Sequence, residues 1–219
     1  PVAKPIVTTN YIVTVNGGGC TNVKGSLSII VNALPNPVIS GVFTVCQGSA
    51  KNIYSVVNVP GNSYFWTVTG GTFAGMQNTN EVTVDWGSAG TGTLTVTETN
   101  TITGCKKTVS KNITINALPV VNFTAAPVGD ACSARYKFTT TSPATAPGLT
   151  YKWTFNDKST PETTRDPIHQ FHPHGDAFQN IITTLIVKNA AGCVDSTKQT
   201  ITNVKQRPDA SLSAPSFKQ

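Results

Sequence analysis

The sequence predicts an all-β protein: tandem two-sheet sandwiches, each closed by one internal disulfide. Three observations carry this reading: a Cys…Trp…Cys frame that occurs twice, apolar residues that alternate with a period of two, and the lack of any convincing helical pattern. In the first frame Trp66 follows Cys46 by 20 residues and Cys105 follows Trp66 by 39. In the second, Trp153 follows Cys132 by 21 and Cys193 follows Trp153 by 40. Repetition of one frame within a chain marks two copies of one small domain. The expected bridges are Cys46–Cys105 and Cys132–Cys193, each clamped around a buried indole.

Tyr64, Trp66 and Val68 alternate with Phe65, Thr67 and Thr69; Val82, Val84 and Trp86 alternate with Glu81, Thr83 and Asp85. Leu94 and Val96 alternate with Thr93, Thr95 and Thr97, and Tyr151, Trp153 and Phe155 with Lys152 and Thr154. Such alternation gives half-buried antiparallel strands with one apolar face. It places Trp66, Trp86 and Trp153 in cores rather than on sugar-stacking surfaces. Gly70-Gly71, Gly87-Ser88 and Asn189-Ala190-Ala191-Gly192 supply turns. Ala33-Leu34-Pro35-Asn36-Pro37, Ala117-Leu118-Pro119 and Lys205-Gln206-Arg207-Pro208 read as short, stiff joints. The domains then run 34–117 and 118–205, preceded at 1–33 by the C-terminal part of a truncated repeat and followed at 206–219 by a linker or the start of another.

Composition agrees. Of 219 residues only 12% are charged and 34 are threonine, a strand-forming, secreted-looking usage. A unit of about 85 residues is small enough for a cross-link to matter, and closing a loop of about 60 residues contributes roughly 4 kcal/mol in the chain-entropy model. Five cysteines leave one over. Cys20 precedes Asn32 of an Asn-Ala-Leu-Pro run by 12 residues, as Cys105 precedes Asn116 of another by 11. It therefore occupies the second-cysteine position of an earlier copy, unpaired by truncation; a free thiol or an intermolecular bridge is the alternative. Paired cysteines imply an oxidising compartment.

These residues resemble a known family. Tyr151–Ser159 (Tyr-Lys-Trp-Thr-Phe-Asn-Asp-Lys-Ser) resembles the Trp-Asp-Phe-Gly-Asp-Gly-Ser motif of PKD domains, an Ig-like sandwich family. Pro167-Ile168-His169-Gln170-Phe171, with Gly175 beyond, resembles that family's Pro-x-His-x-Tyr segment, and 186–193 its closing strand and turn. Asn156 and Lys158 replace motif glycines, and Phe171 a tyrosine. Trp66–Gly71, Val84–Gly87 and Gly104-Cys105 resemble the related PKD-like repeat. Tandem repeats of this kind are similar to those of large type IX-secreted surface proteins of Bacteroidota, among them gliding-motility adhesins. The resemblance implies a non-catalytic adhesive stalk or binding array at the cell surface, with an unknown glycan or protein ligand and the parent's secretion or motility machinery as partners. The alternative is an accessory spacer or polysaccharide-docking module of a secreted hydrolase.

Other candidate sites weigh less. His169, His172 and His174 cluster, but no structural-zinc spacing accompanies them. Asn156, Asp157, Asp166 and Asp176 are conceivable calcium ligands, without a tandem aspartate loop; no other cofactor is expected. No Gly-x-Ser-x-Gly elbow or paired carboxylate set points to an enzyme. The net charge of +6 is scattered; Lys106, Lys107 and Lys111 read as a solvated edge strand, and no basic stripe with interleaved aromatics favours nucleic acid. Asn112-Ile113-Thr114 and Asn122-Phe123-Thr124 match the N-glycosylation sequon. Asp195-Ser196-Thr197 resembles the short O-glycosylation signal of Bacteroidota, at Ser196.

Overall fold

The computed structural model describes residues 2–17, 20–129, 134–141, 148–171 and 179–204; the side chains of residues 16–17, 20–23, 179 and 203 are not described. Every regular element among them is a strand, and no helix is long and apolar enough to cross a membrane. The chain divides into two compact units, Pro1–Ile115 and Asn116–Gln219.

The first unit begins with a hairpin, β1 (Thr9–Gly17) and β2 (Cys20–Ile29). A sandwich of two four-stranded sheets follows. One sheet has the order β3 (Ser40–Gly41), β5 (Asn52–Ser55), β8 (Glu81–Trp86), β7 (Gly71–Phe73). The other has the order β4 (Thr44–Cys46), β10 (Lys106–Asn116), β9 (Gly90–Asn100), β6 (Asn62–Thr69). Alternation decides what each strand buries. Tyr64 and Trp66 on β6, Val82, Val84 and Trp86 on β8, Leu94 and Val96 on β9, and Ile113 and Ile115 on β10 all enter one core. Trp86 forces a glycine on its neighbour: a Cβ on buried Gly92 would lie 2.3 Å from the indole Cζ3. The indole Nε1 donates to the Tyr54 hydroxyl at 2.9 Å, so its one polar atom is satisfied where water is excluded.

The second unit pairs two three-stranded sheets. One has the order β11 (Phe123–Pro127), β12 (Arg135–Thr140), β14 (Ile168–Gln170); the other has the order β13 (Thr150–Phe155), β15 (Gln179–Lys188), β16 (Val194–Val204). Its core is more aromatic. Phe123 and Phe138 pack on Trp153, and Phe155 and Phe171 pack on Phe138, with Ile181, Leu185 and Val187 completing the core.

The two indoles have matching settings. Trp66 and Trp153 are both fully buried. Trp66 donates from its backbone N to the Gln77 carbonyl and from Nε1 to the Thr79 carbonyl. Trp153 donates likewise to the carbonyls of Glu162 and Thr164.

The turn after β13 shows how a lost motif glycine is accommodated. Lys158, which stands where the PKD motif has glycine, adopts φ +63°. The left-handed conformation costs a side-chain-bearing residue about 1–2 kcal/mol. Lys158→Gly is therefore expected to stabilise the second unit by about 0.5–1 kcal/mol after the entropic cost of glycine. A chemical-denaturation midpoint that moved down instead would show that the lysine side chain contributes more than the backbone loses.

Candidate functional site

The cysteines correct one expectation. Cys46 and Cys193 are each disulfide-bonded, but Cys105 carries a free thiol, so the Cys46–Cys105 bridge is not formed. The reason is strand geometry. Thr114 on β10 donates from its backbone N to the carbonyl of Phe43. Cys105 lies just before the far end of that strand, nine residues away, or about 30 Å at 3.3 Å per residue. The three residues from Phe43 to Cys46 span at most about 10 Å and the paired strands lie about 5 Å apart, leaving at least about 15 Å where a disulfide needs Cα atoms within about 7 Å. The equal spacing of the two frames measured sheet topology and not proximity. Cys132 lies outside the described residues, as do the side chain of Cys20 and the segment 206–219, so the Cys132–Cys193 bridge remains a proposal. Alkylation of the unreduced protein is expected to label Cys105 and to leave Cys46 and Cys193 unlabelled, read by peptide mass mapping; labelled Cys46 would contradict its bonded state.

Within the second unit, Cys193 sits in a tight turn at the end where the chain enters. Its backbone N donates to the Asn189 side chain, whose Nδ2 donates in turn to the Ala117 carbonyl at 2.9 Å.

The densest polar cluster is built around His169 on β14. His169 is 7% exposed, and its ring stacks on Phe155 with centroids 3.8 Å apart and planes 14° from parallel. Phe171 packs edge-on at 4.7 Å. Nδ1 lies 2.7 Å from Glu162 Oε1, and Nε2 lies 2.9 Å from Asp157 Oδ2 and 3.4 Å from Ser159 Oγ. Only the doubly protonated ring can donate to both carboxylates at once. Burial works to raise the Asp157 carboxyl, but its hydrogen bonds from His169 and from the Ser159 side chain and backbone, with the His169 charge, together hold it below its ordinary value. The cluster ties the turn after β13 to β14 across the edge of the core.

Each nitrogen of the imidazole is engaged by a carboxylate. Among the described residues no three or more His, Cys, Asp and Glu are arranged to hold a metal ion. Asn156 accepts from Ile182 N, and Asp166 accepts from Thr140 N, so their oxygens serve the backbone. His172, His174 and Asp176 lie outside the described residues. The role of Glu162 escaped the sequence reading; its only signal is its distance of nine residues from Trp153, with which it forms an isolated antiparallel bridge.

The remaining candidates are on the surface or in the cores. Trp86 is 3% exposed. Lys106, Lys107 and Lys111 are exposed on β10, and Lys111 Nζ lies 4.5 Å above the Phe43 ring. Ser196 is exposed on β16, with its backbone N bound to Asp195 Oδ1. Asn112 is exposed on β10; Asn122 is exposed too, but its Oδ1 accepts from Phe123 N and Gln199 Nε2.

Indole-centred double sheets, repeated in one chain, define the class: a tandem of immunoglobulin-like sandwiches. The family follows from comparison. Residues 31–115 match the model of the PKD-like domain and residues 116–204 that of the PKD domain, so the chain carries two PKD-type domains in tandem. No curated protein is significantly similar in sequence. Among solved structures, the fibronectin(III)-like modules of Clostridium thermocellum CbhA align at 7% identity and TM-score 0.39, over 82% of this chain and 100% of that one. The Yersinia pseudotuberculosis adhesin InvE aligns at 17% identity and TM-score 0.30, over 75% of this chain and 58% of that one. The human desmocollin-1 ectodomain aligns at 12% identity and TM-score 0.29, over 90% and 41%.

Proposed function

We propose that this chain is a non-catalytic segment of a large extracellular repeat protein, serving as an adhesive stalk or binding array. The observation that carries the reading is the direct succession of two PKD-type domains, 31–115 and 116–204, without intervening sequence. Each is organised around a buried indole, and the titratable cluster of the second unit is spent on holding its own fold. Oxidised Cys46 and Cys193 support an extracellular or surface location. Residues 1–33 fit the last strands of a preceding repeat, since β1 and β2 form a hairpin with exposed Ile12, Val13, Val15 and Leu27. Within this reading, export by type IX secretion and a part in gliding motility rest on the repeat resemblance, and Ser196 is the glycosylation site it offers.

Force spectroscopy on the reduced chain tests the mechanical role. Two discrete unfolding steps are expected, each releasing about 30 nm for about 85–89 residues. Gradual extension without steps would argue against a load-bearing stalk. Retention of the purified chain on insoluble polysaccharide would favour the hydrolase-accessory alternative.

A further inference from the structure

We propose that the first sandwich carries a pocket for a primary ammonium group on an aliphatic stem, with Glu98 as its counter-ion. This goes beyond the stalk reading and does not depend on it. Glu98 stands where the fold buries apolar side chains. On β9 the core-facing positions run Leu94, Val96, Glu98, exposed by 0%, 0% and 2%. The second sandwich shows what the fold itself needs there. Asn100 N donates to Cys105 O, and Asn189 N donates to Cys193 O, which aligns the two turns. Glu98 then corresponds to Val187, fully buried. The sandwich is completed by an aliphatic residue at this position, so the carboxylate is not a requirement of the fold. Taking a carboxylate out of water costs several kcal/mol unless it is paired.

Its pairing is incomplete. Asn62 Nδ2 donates to Glu98 Oε1 at 2.6 Å, and among the described residues no salt bridge reaches Glu98. Lys107, its cross-strand register partner, is exposed and not within ion-pair distance. Asn62 Oδ1 is buried and has no hydrogen-bond partner among the described residues. Two acceptors thus lie together without a matching cation. They line a cavity of about 420 Å3 whose walls include Leu34, Pro35, Val38, Val57 and Val59. The wall is pre-set: the Tyr64 hydroxyl donates to the Val57 carbonyl at 3.2 Å and accepts from Val59 N at 2.7 Å. Val38 and Val57 are 67% and 79% exposed, apolar surface that a methylene stem would cover. An ammonium carries three donors on a compact head, which suits one carboxylate and one amide oxygen better than the flat five-donor guanidinium.

The test is an NMR titration of the 15N-labelled full chain with n-butylammonium chloride, with n-butanol as the uncharged control. Shifts are expected at Val38, Val57 and Asn62, with a dissociation constant on the order of 1 mM. Butanol, Glu98→Gln and Glu98→Val are each expected to weaken binding about 10-fold or more, the loss of one charge-assisted contact. Glu98→Val is also expected to fold, as Val187 does in its own domain; should it fail, Glu98→Gln decides alone. Equal binding of butanol and butylammonium, or undiminished binding by Glu98→Gln, would overturn the proposal. So would a gain of about 10-fold in Lys107→Gln, which would make Lys107 the pocket's own occupant. A further pair of ligands separates sources: tighter binding of an N-acetyl-lysine methylamide assigns the pocket to a lysine side chain, and tighter binding of cadaverine assigns it to a free polyamine.

Discussion

Trp153→Ala is expected to destabilise the second unit by about 4 kcal/mol, within the range for truncating a buried aromatic. The indole is fully buried, 5.0 Å from the Phe123 ring in an edge contact and 5.4 Å from Phe138. Removing it opens a large apolar cavity and breaks both aromatic pairs. It also strands the Thr164 carbonyl that accepts from Nε1 at 3.0 Å. For a domain of this size the loss corresponds to roughly 16–32 °C in melting temperature. Total stability of such domains is about 5–15 kcal/mol, so the variant would sit near its unfolding threshold. Trp153 is one of three tryptophans and the only one in its unit, so the fluorescence left in the variant reports the first unit alone. Calorimetry should show the second unit's transition moved and the fluorescence transition in place. A loss below about 1 kcal/mol would mean that the aromatic cluster is not organised around this ring.

His169→Ala is the second large effect, expected to cost about 3 kcal/mol. The loss has two parts: the stacked contact with Phe155 disappears, and Asp157 and Glu162 are left facing each other without the donor that joined them. His169→Phe separates the parts, because it restores an aromatic ring but no donor. It should recover only a minor share of the loss. The pH dependence gives an independent check. Asp157 has its carboxyl held below the ordinary value in the fold, so its contribution is fully present above the normal carboxyl range. That contribution is lost as pH falls below about 4 and through the folded value. Wild type should therefore lose stability on acidification more steeply than His169→Ala, in which the hydrogen bond that lowers Asp157 is gone. Parallel pH profiles for the two proteins would show that the triad does not hold Asp157 ionised.

Much of the fold was legible because alternation is a local property. Tyr64-Trp66 and Val82-Val84-Trp86 declared their buried faces in the sequence, whereas the burial of Glu98 on the Leu94-Val96 face emerged only from the structure. The His169 position was visible through the PKD motif, but its partners were not. Asp157 reads equally well as a calcium ligand, and Glu162 lies in a loop without periodicity. Lys158 shows the limit from the other side: the missing glycine was evident, while the left-handed backbone that persists without it was not.

The sequence by itself determined the class of fold, the repeat and the three indoles that enter the cores. Those follow from side-chain chemistry read at a period of two, and each strand carries that information within a few residues. The tertiary structure alone decided which distant groups meet. Cys46 and Cys105 belong to one frame yet do not meet, whereas Asp157, Glu162 and His169 close on one another from three separate segments. Proximity across a sandwich depends on strand order and register, and neither is written in the spacing between two residues.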